Sequence, residues 1–308
     1  MSYIDYRFLS GKAFYHKILV LILLFLALYI LVPLIFLVIS IPIWGREVIE
    51  PISDSSSTLN INLMKVLQLF TQIGIFGISA WLFVRMQTNK VSEHLSLNHF
   101  SNFKTHLLSI GLLLCALPLV YETMLWNESI PFPEKFSSLY QSLIQQQYRS
   151  EEMMNLFLNT QGVGGLLFNI FLIALIPAFF EELFFRGALQ KLFLDTLKNK
   201  HISIFIVAIL FSAIHLQFFN FLPRFVLGLA LGYMAFYSGS LWPSIVAHAI
   251  NNGISVVIAW MYYNGYTRVN YQEIGETPYW GITIISVIAC IILIYFLRKT
   301  HLPNKVYE

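Results

Sequence analysis

Apolar runs dominate the chain, and their lengths set the first expectation. Eight of them are long enough to be read as membrane-crossing helices: residues 18–44, 61–84, 106–126, 162–185, 202–221, 223–239, 241–262 and 279–297. The ruler is the bilayer itself, whose hydrocarbon core of about 30 Å needs roughly 20 apolar residues in helical form. Pro33 lies inside the first run and predicts a kink. The fifth and sixth runs are parted only by the turn around Pro223, the sixth and seventh only by Ser238-Gly239-Ser240. Connections that short predict antiparallel neighbours. Between the third and fourth runs, 127–161 is too polar to cross. Its Leu139, Leu143, Met153, Leu156 and Phe157 are scattered among Gln and Glu, which predicts a helix lying on the outer surface. Residues 187–200 are amphipathic and basic, which predicts a helix along the inner leaflet. The expected fold is all-α: a polytopic transmembrane bundle of about eight spans.

Composition agrees. The 308 residues are 57% hydrophobic and 11% charged, where a soluble domain carries about 25% charged residues. So little polar surface cannot cover a globule in water. Lys and Arg placement gives an orientation. With the N-terminus inside, Arg7, Lys12, Lys17, Arg85, Lys90, Lys104, the basic residues of 186–200 and Arg298, Lys299 and Lys305 all fall on the inner side. The outer segments are acidic, with Glu47, Glu50, Asp54, Glu128, Glu134, Glu151 and Glu152, and hold Arg46, Lys135, Arg149, Arg224 and Arg268. Lys65 lies within a span, where it is expected to snorkel. The pattern predicts an integral protein of a bacterial cytoplasmic membrane with both termini cytoplasmic. A net charge of +3 gives no footprint for nucleic acid. Cys115 and Cys290 sit in apolar runs and read as core residues. The first run is too long for the apolar part of a cleaved signal, and the final Val-Tyr-Glu is not a prenylation signal.

Ionisable groups at membrane depth are costly and mark function. Three places stand out. Glu181 and Glu182 end an apolar run and point about 100° apart on a helix of 3.6 residues per turn, so they cannot share one task. Glu182 and Arg186 stand at i and i+4, in the favourable order for an ion pair, which leaves Glu181 to face a cavity. Phe211 and His215 share a face at i, i+4, as do His248 and Asn252. Each also has an ordinary reading: a structural ion pair, a packed histidine, an interhelical hydrogen bond. Together they supply a base, imidazoles and a neutral donor, the parts needed to activate water and hold an oxyanion. No nucleophile elbow and no H-E-x-x-H accompanies them.

The ordered set Glu181-Glu182-x-x-x-Arg186, Phe211-x-x-x-His215 and His248-x-x-x-Asn252 resembles the three motifs of the CAAX prenyl protease and bacteriocin-processing family, also called CPBP or Abi. The stretch Phe225-Val-Leu-Gly228-Leu-Ala-Leu-Gly232 and the Gly239-Ser-Leu-Trp-Pro243 that follows are typical of it as well. The resemblance covers roughly 160–260. It divides the chain into N-terminal spans with the outer amphipathic segment (1–160), a protease core (161–262), and a final span with a cytoplasmic tail (263–308).

The resemblance implies an intramembrane endopeptidase acting on a membrane-associated, possibly lipidated, peptide or protein, with membrane lipid as its surroundings. It implies Glu181 as the base with His215 assisting, Glu182 and Arg186 supporting, and His248 and Asn252 at the oxyanion. Glu181, His215 and His248 also suit a divalent metal such as zinc, while a metal-free glutamate mechanism fits the same residues. Two other functions stay open: a non-catalytic immunity or scaffold protein, and a proton-coupled transporter. The absence of repeated halves counts against the transporter.

Overall fold

The computed structural model describes residues 7–45 and 58–300. Arg46, Glu47, Glu50, Asp54 and Lys305 lie outside the described residues. Among those described, every regular element is helical. The main helices are α1 (Phe14–Trp44), α2 (Ile61–Arg85), α3 (Phe103–Glu128), α4 (Ser137–Leu158), α5 (Gly162–Leu197), α6 (Lys200–Ala213), α7 (Phe218–Ser238), α8 (Trp242–Tyr263) and α9 (Trp280–Lys299). Seven of them, all but α4 and α6, are long and apolar enough to cross a membrane.

The exterior agrees with that reading. α1 exposes Leu23, Leu26, Ile30, Leu34 and Val38, and α9 exposes Ile284, Ile285, Ile288 and Ile291. Unbroken apolar faces of this size have lipid as their natural solvent. The protein is an integral membrane protein.

The fifth expected span, 202–221, divides. α6 has 14 residues, about 21 Å at 1.5 Å per residue, and stops at Ala213. Asn199 caps its start by accepting from the amides of His201 and Ile202. Leu216 takes a left-handed φ of 54°, a conformation a bulky residue adopts only under tertiary constraint, and the chain turns there into α7. α7 ends at Gly239, whose φ of 64° suits glycine. Pro243 opens α8 in the first turn, where its missing N–H costs nothing.

The expected inner-leaflet helix at 187–200 does not form as a separate element. α5 runs on unbroken for 36 residues, and Gly187 to Gln190 are buried. Lys191 donates to the His94 carbonyl and to Ser96 Oγ at 2.7 Å. Nor does α5 break at Pro177. It widens into π-helical turns at Ile170–Leu175 and Leu183–Gln190 instead. Such turns occur often at functional sites.

Lys65 is 3% exposed and does not snorkel. Its Nζ donates to Asn169 Oδ1 at 3.0 Å and lies near the rings of Phe157 and Phe168. Asn169 donates in turn to the Phe157 carbonyl at 2.8 Å. This chain of contacts ties α2 and α5 to the end of α4. α4 is anchored at its end, where Phe157 and Leu158 are buried in a cluster with Leu172, Val256 and Ala259, while the rest of the helix is exposed or half-buried.

Gly228 and Gly232 of α7 are where α6 comes closest. A Cβ on Gly228 would sit 3.2 Å from Cα and Cβ of Ala208, and one on Gly232 2.7 Å from Cγ2 of Ile204. The pair serves packing inside the chain. Gly228→Ala is expected to push α6 off α7 and cost about 1–3 kcal/mol, the usual penalty of overpacking. Thermal unfolding in detergent measures it. Gly253→Ala, whose Cβ would meet ordinary contact at 3.9 Å, is the control. Equal melting temperatures for the two variants would show that the contact yields freely.

Candidate functional site

The two widened stretches of α5 bracket one α-helical segment, Ile176–Glu182, which carries both carboxylates. Because α5 extends to Leu197, Glu181 falls near its middle and not at the inner end. Glu181 and Glu182 are 6% and 0% exposed.

As the spacing predicts, Glu182 and Arg186 pair: Arg186 Nη1 lies 2.6 Å from Glu182 Oε1. Arg186 Nη2 donates to the Gly228 carbonyl at 3.1 Å, and one turn on Gln190 donates to the Gly232 carbonyl at 3.1 Å. The guanidinium also stands 4.5 Å from the centroid of the Phe211 ring. Arg186 thereby ties α5, α6 and α7 together around a single charge.

Glu182 Oε1 has a second partner, His248 Nδ1, at 3.1 Å. A carboxylate accepts, so Nδ1 carries the proton, and a bound carboxylate of this kind fixes the ring's orientation. The other nitrogen of that ring, Nε2, then faces Glu181 Oε2 at 3.9 Å. Glu181 Oε1 accepts from Gln72 Nε2 at 3.1 Å. Gln72 opens a π-helical stretch of α2, Gln72–Ile78.

The structure therefore brings Glu181 to His248 and Gln72. His215 lies in the turn after α6, its Nδ1 donating to the Phe211 carbonyl at 2.8 Å, and makes no hydrogen bond to Glu181. Asn252 reaches only the Ile173 carbonyl, at 3.4 Å, and accepts from Asn251 at 3.2 Å. Glu181, His215, His248 and Asn252 nevertheless all line one cavity of about 580 Å³, together with Gln72 and Arg224. Gln147, Ser150, Glu151 and Met154 of α4 and Tyr271 complete its wall. Burial, with smaller contributions from Tyr263 and Glu151, pushes the Tyr271 phenol up to about 12, so it stays a neutral donor to Asn155 Oδ1 at 2.9 Å.

A second cavity, about 720 Å³, takes the opposite halves of the same helices. His94, Ser96, His99, Arg186, Gln190 and Lys191 line it. Burial and the charges of Lys191 and Lys17 hold His94 down at about 4, so it is neutral near pH 7.

Among the described residues, no three His, Cys, Asp or Glu side chains are arranged to hold a metal.

Residues 163–254 match the family model described as type II CAAX prenyl endopeptidase Rce1-like. The matched segment is thus similar to the CAAX protease family. No curated protein and no solved structure matches the chain. At the level of that family the similarity supports a protease-type enzyme. The matched segment begins with α5 and ends within α8, so it contains Glu181, Glu182, Arg186, His215, His248 and Asn252, while Gln72 lies outside it.

Proposed function

We propose that this protein cuts a peptide bond of a membrane-associated or lipidated peptide with water activated by Glu181. One observation carries the reading. A buried carboxylate and a histidine nitrogen face each other at 3.9 Å, too far for a direct hydrogen bond and close enough for one water to bridge. With His248 Nδ1 protonated towards Glu182, neutral His248 presents the Nε2 lone pair. A bridging water donates to Nε2 and to Glu181 Oε2.

Glu181 takes one proton as the water oxygen attacks the carbonyl carbon. The carbonyl oxygen becomes an oxyanion, for which the loosely held amide of Asn252 is a neutral donor on the wall. Collapse of the tetrahedral species breaks the C–N bond, and Glu181 returns its proton to the leaving amine. The Glu182–Arg186 pair keeps His248 oriented without adding net charge. His215, its Nδ1 proton spent on a carbonyl, offers a second bare nitrogen in the cavity. No step of this reading requires a metal. The Lys and Arg bias supports both termini on the cytoplasmic side, α6 counting as one of eight crossings.

The test is cleavage of a library of apolar and lipidated peptides by purified protein in detergent, with and without exhaustive chelation. Cleavage that persists after chelation is expected. Cleavage lost on chelation and restored by one divalent ion per chain would overturn the metal-free form. No cleavage of any peptide, in detergent or in liposomes, would sink the endopeptidase reading.

A further inference from the structure

We propose that Arg224 anchors a carboxylate of the peptide entering the Glu181 cavity, so that the enzyme selects substrates by a negative charge close to the bond it cuts. The inference rests on the reading of Glu181 as the water-activating base.

Two guanidinium groups border the site, and they are treated differently. Arg186 has its charge neutralised by Glu182 at 2.6 Å. Arg224, near the start of α7, lines the cavity itself. Its Nη2 donates to the neutral Gln217 Oε1. Its Nη1 is shielded from solvent and has no hydrogen-bond partner. No carboxylate among the described residues forms an ion pair with it. Glu128 and Glu151 line the same cavity and act on each other. Glu181 is already held by Gln72 and faces His248.

Glu181 acts on Arg224 only at longer range, across the cavity, and a guanidinium nitrogen shielded from solvent without a hydrogen-bond partner is costly. The fork of donors on a guanidinium matches a carboxylate in size and plane, and can hold it through two parallel bonds. A cavity of about 580 Å³ is in the range of small-ligand sites, so an anion at Arg224 and a carbonyl at Glu181 share one compartment. The anion is either the terminal carboxylate of the peptide or an Asp or Glu side chain a short distance from the cut.

The experiment uses full-length protein and matched quenched-fluorescent apolar peptides of three kinds: free C-terminal acid, C-terminal amide, and C-terminal amide with Asp as the last residue. The wild type is expected to prefer one of the charged peptides over the plain amide by at least roughly tenfold in kcat/KM, the worth of a charge-assisted hydrogen bond, with the difference mainly in KM. The acid and Asp arms tell which carboxylate is read. In Arg224→Gln the preference collapses towards one, and Arg224→Lys restores part of it. A wild type with no preference, or an Arg224→Gln protein that loses all three substrates equally, would overturn the anchor.

A second measurement is independent of turnover. In Glu181→Gln protein, the acid or Asp peptide should raise the melting temperature more than the amide, and adding Arg224→Gln should remove the difference. If nothing is cleaved but this difference appears, the hydrolytic reading fails and the anchor stands. If peptides are cleaved and the difference is absent, the anchor fails and the hydrolytic reading stands.

Discussion

Glu181→Gln is expected to slow peptide cleavage by roughly 10²–10⁴-fold, the range set by removing a positioned general base, while thermal unfolding stays close to that of the wild type. Gln has nearly the shape of Glu and can still accept from Gln72 Nε2 through its carbonyl oxygen. It cannot take a proton from water. The separation between rate and stability is what makes the result informative. The carboxylate is 6% exposed, so losing its charge removes a desolvation cost and does not weaken the fold. Single-turnover cleavage of the best library peptide and a melting curve on the same preparation measure both effects. A variant that cleaves at the wild-type rate would remove Glu181 as the base, and attention would move to His215.

Arg186→Ala is expected to do the reverse: it should cost the fold about 3–5 kcal/mol, the usual consequence of stranding one member of a buried ion pair, and take activity with it. Glu182, at 0% exposure, would be left with only His248 Nδ1 as a partner. The carbonyls of Gly228 and the ring of Phe211 would lose the guanidinium they face. Unfolding followed by circular dichroism in mild detergent measures the loss. A double variant, Glu182→Gln with Arg186→Met, removes both charges and should recover much of the stability without recovering full rate, because His248 loses its anionic partner. If Arg186→Ala melts like the wild type, the pair is hydrated and contributes nothing structural.

Part of this was legible in residue order. The i, i+4 spacing of Glu182 and Arg186 is local geometry, and the pair forms as the spacing requires. The apolar runs likewise give the spans, because the length of a run is measured against the bilayer alone. What was not legible depends on contacts between distant segments. Gln72 reaches Glu181 across 109 positions, from a run that also holds Gln68, with nothing in the spacing to single either out. His248 bonds to Glu182 although its spacing to Asn252 suggests a different partnership. The widened turns of α5 shift which side chains share a face, and a 3.6-residue period cannot anticipate them. Arg224 reads as a loop cation near a proline, yet the turn at Leu216 swings α7 so that it borders the cavity. Lys65 reads as a snorkelling cation because its acceptor, Asn169, belongs to another helix.

The two cavities hollow the same helices from opposite halves, and the layer between them holds Arg186 and Glu182 with the fully buried Phe185 and Met234. In an energised membrane, a potential drops most steeply across whatever insulating material remains between conducting spaces. Here that material includes Glu182, which lines neither cavity, and Arg186, which borders the second. A lone charge there would be worked on by the membrane voltage at roughly 2.3 kcal/mol per 100 mV for a full crossing. A Glu⁻–Arg⁺ pair whose atoms lie 2.6 Å apart presents no net charge to that field. The layer that orients His248 is thus also the layer that lets a doubly hollowed protein sit across a voltage without its central charges being pulled by it.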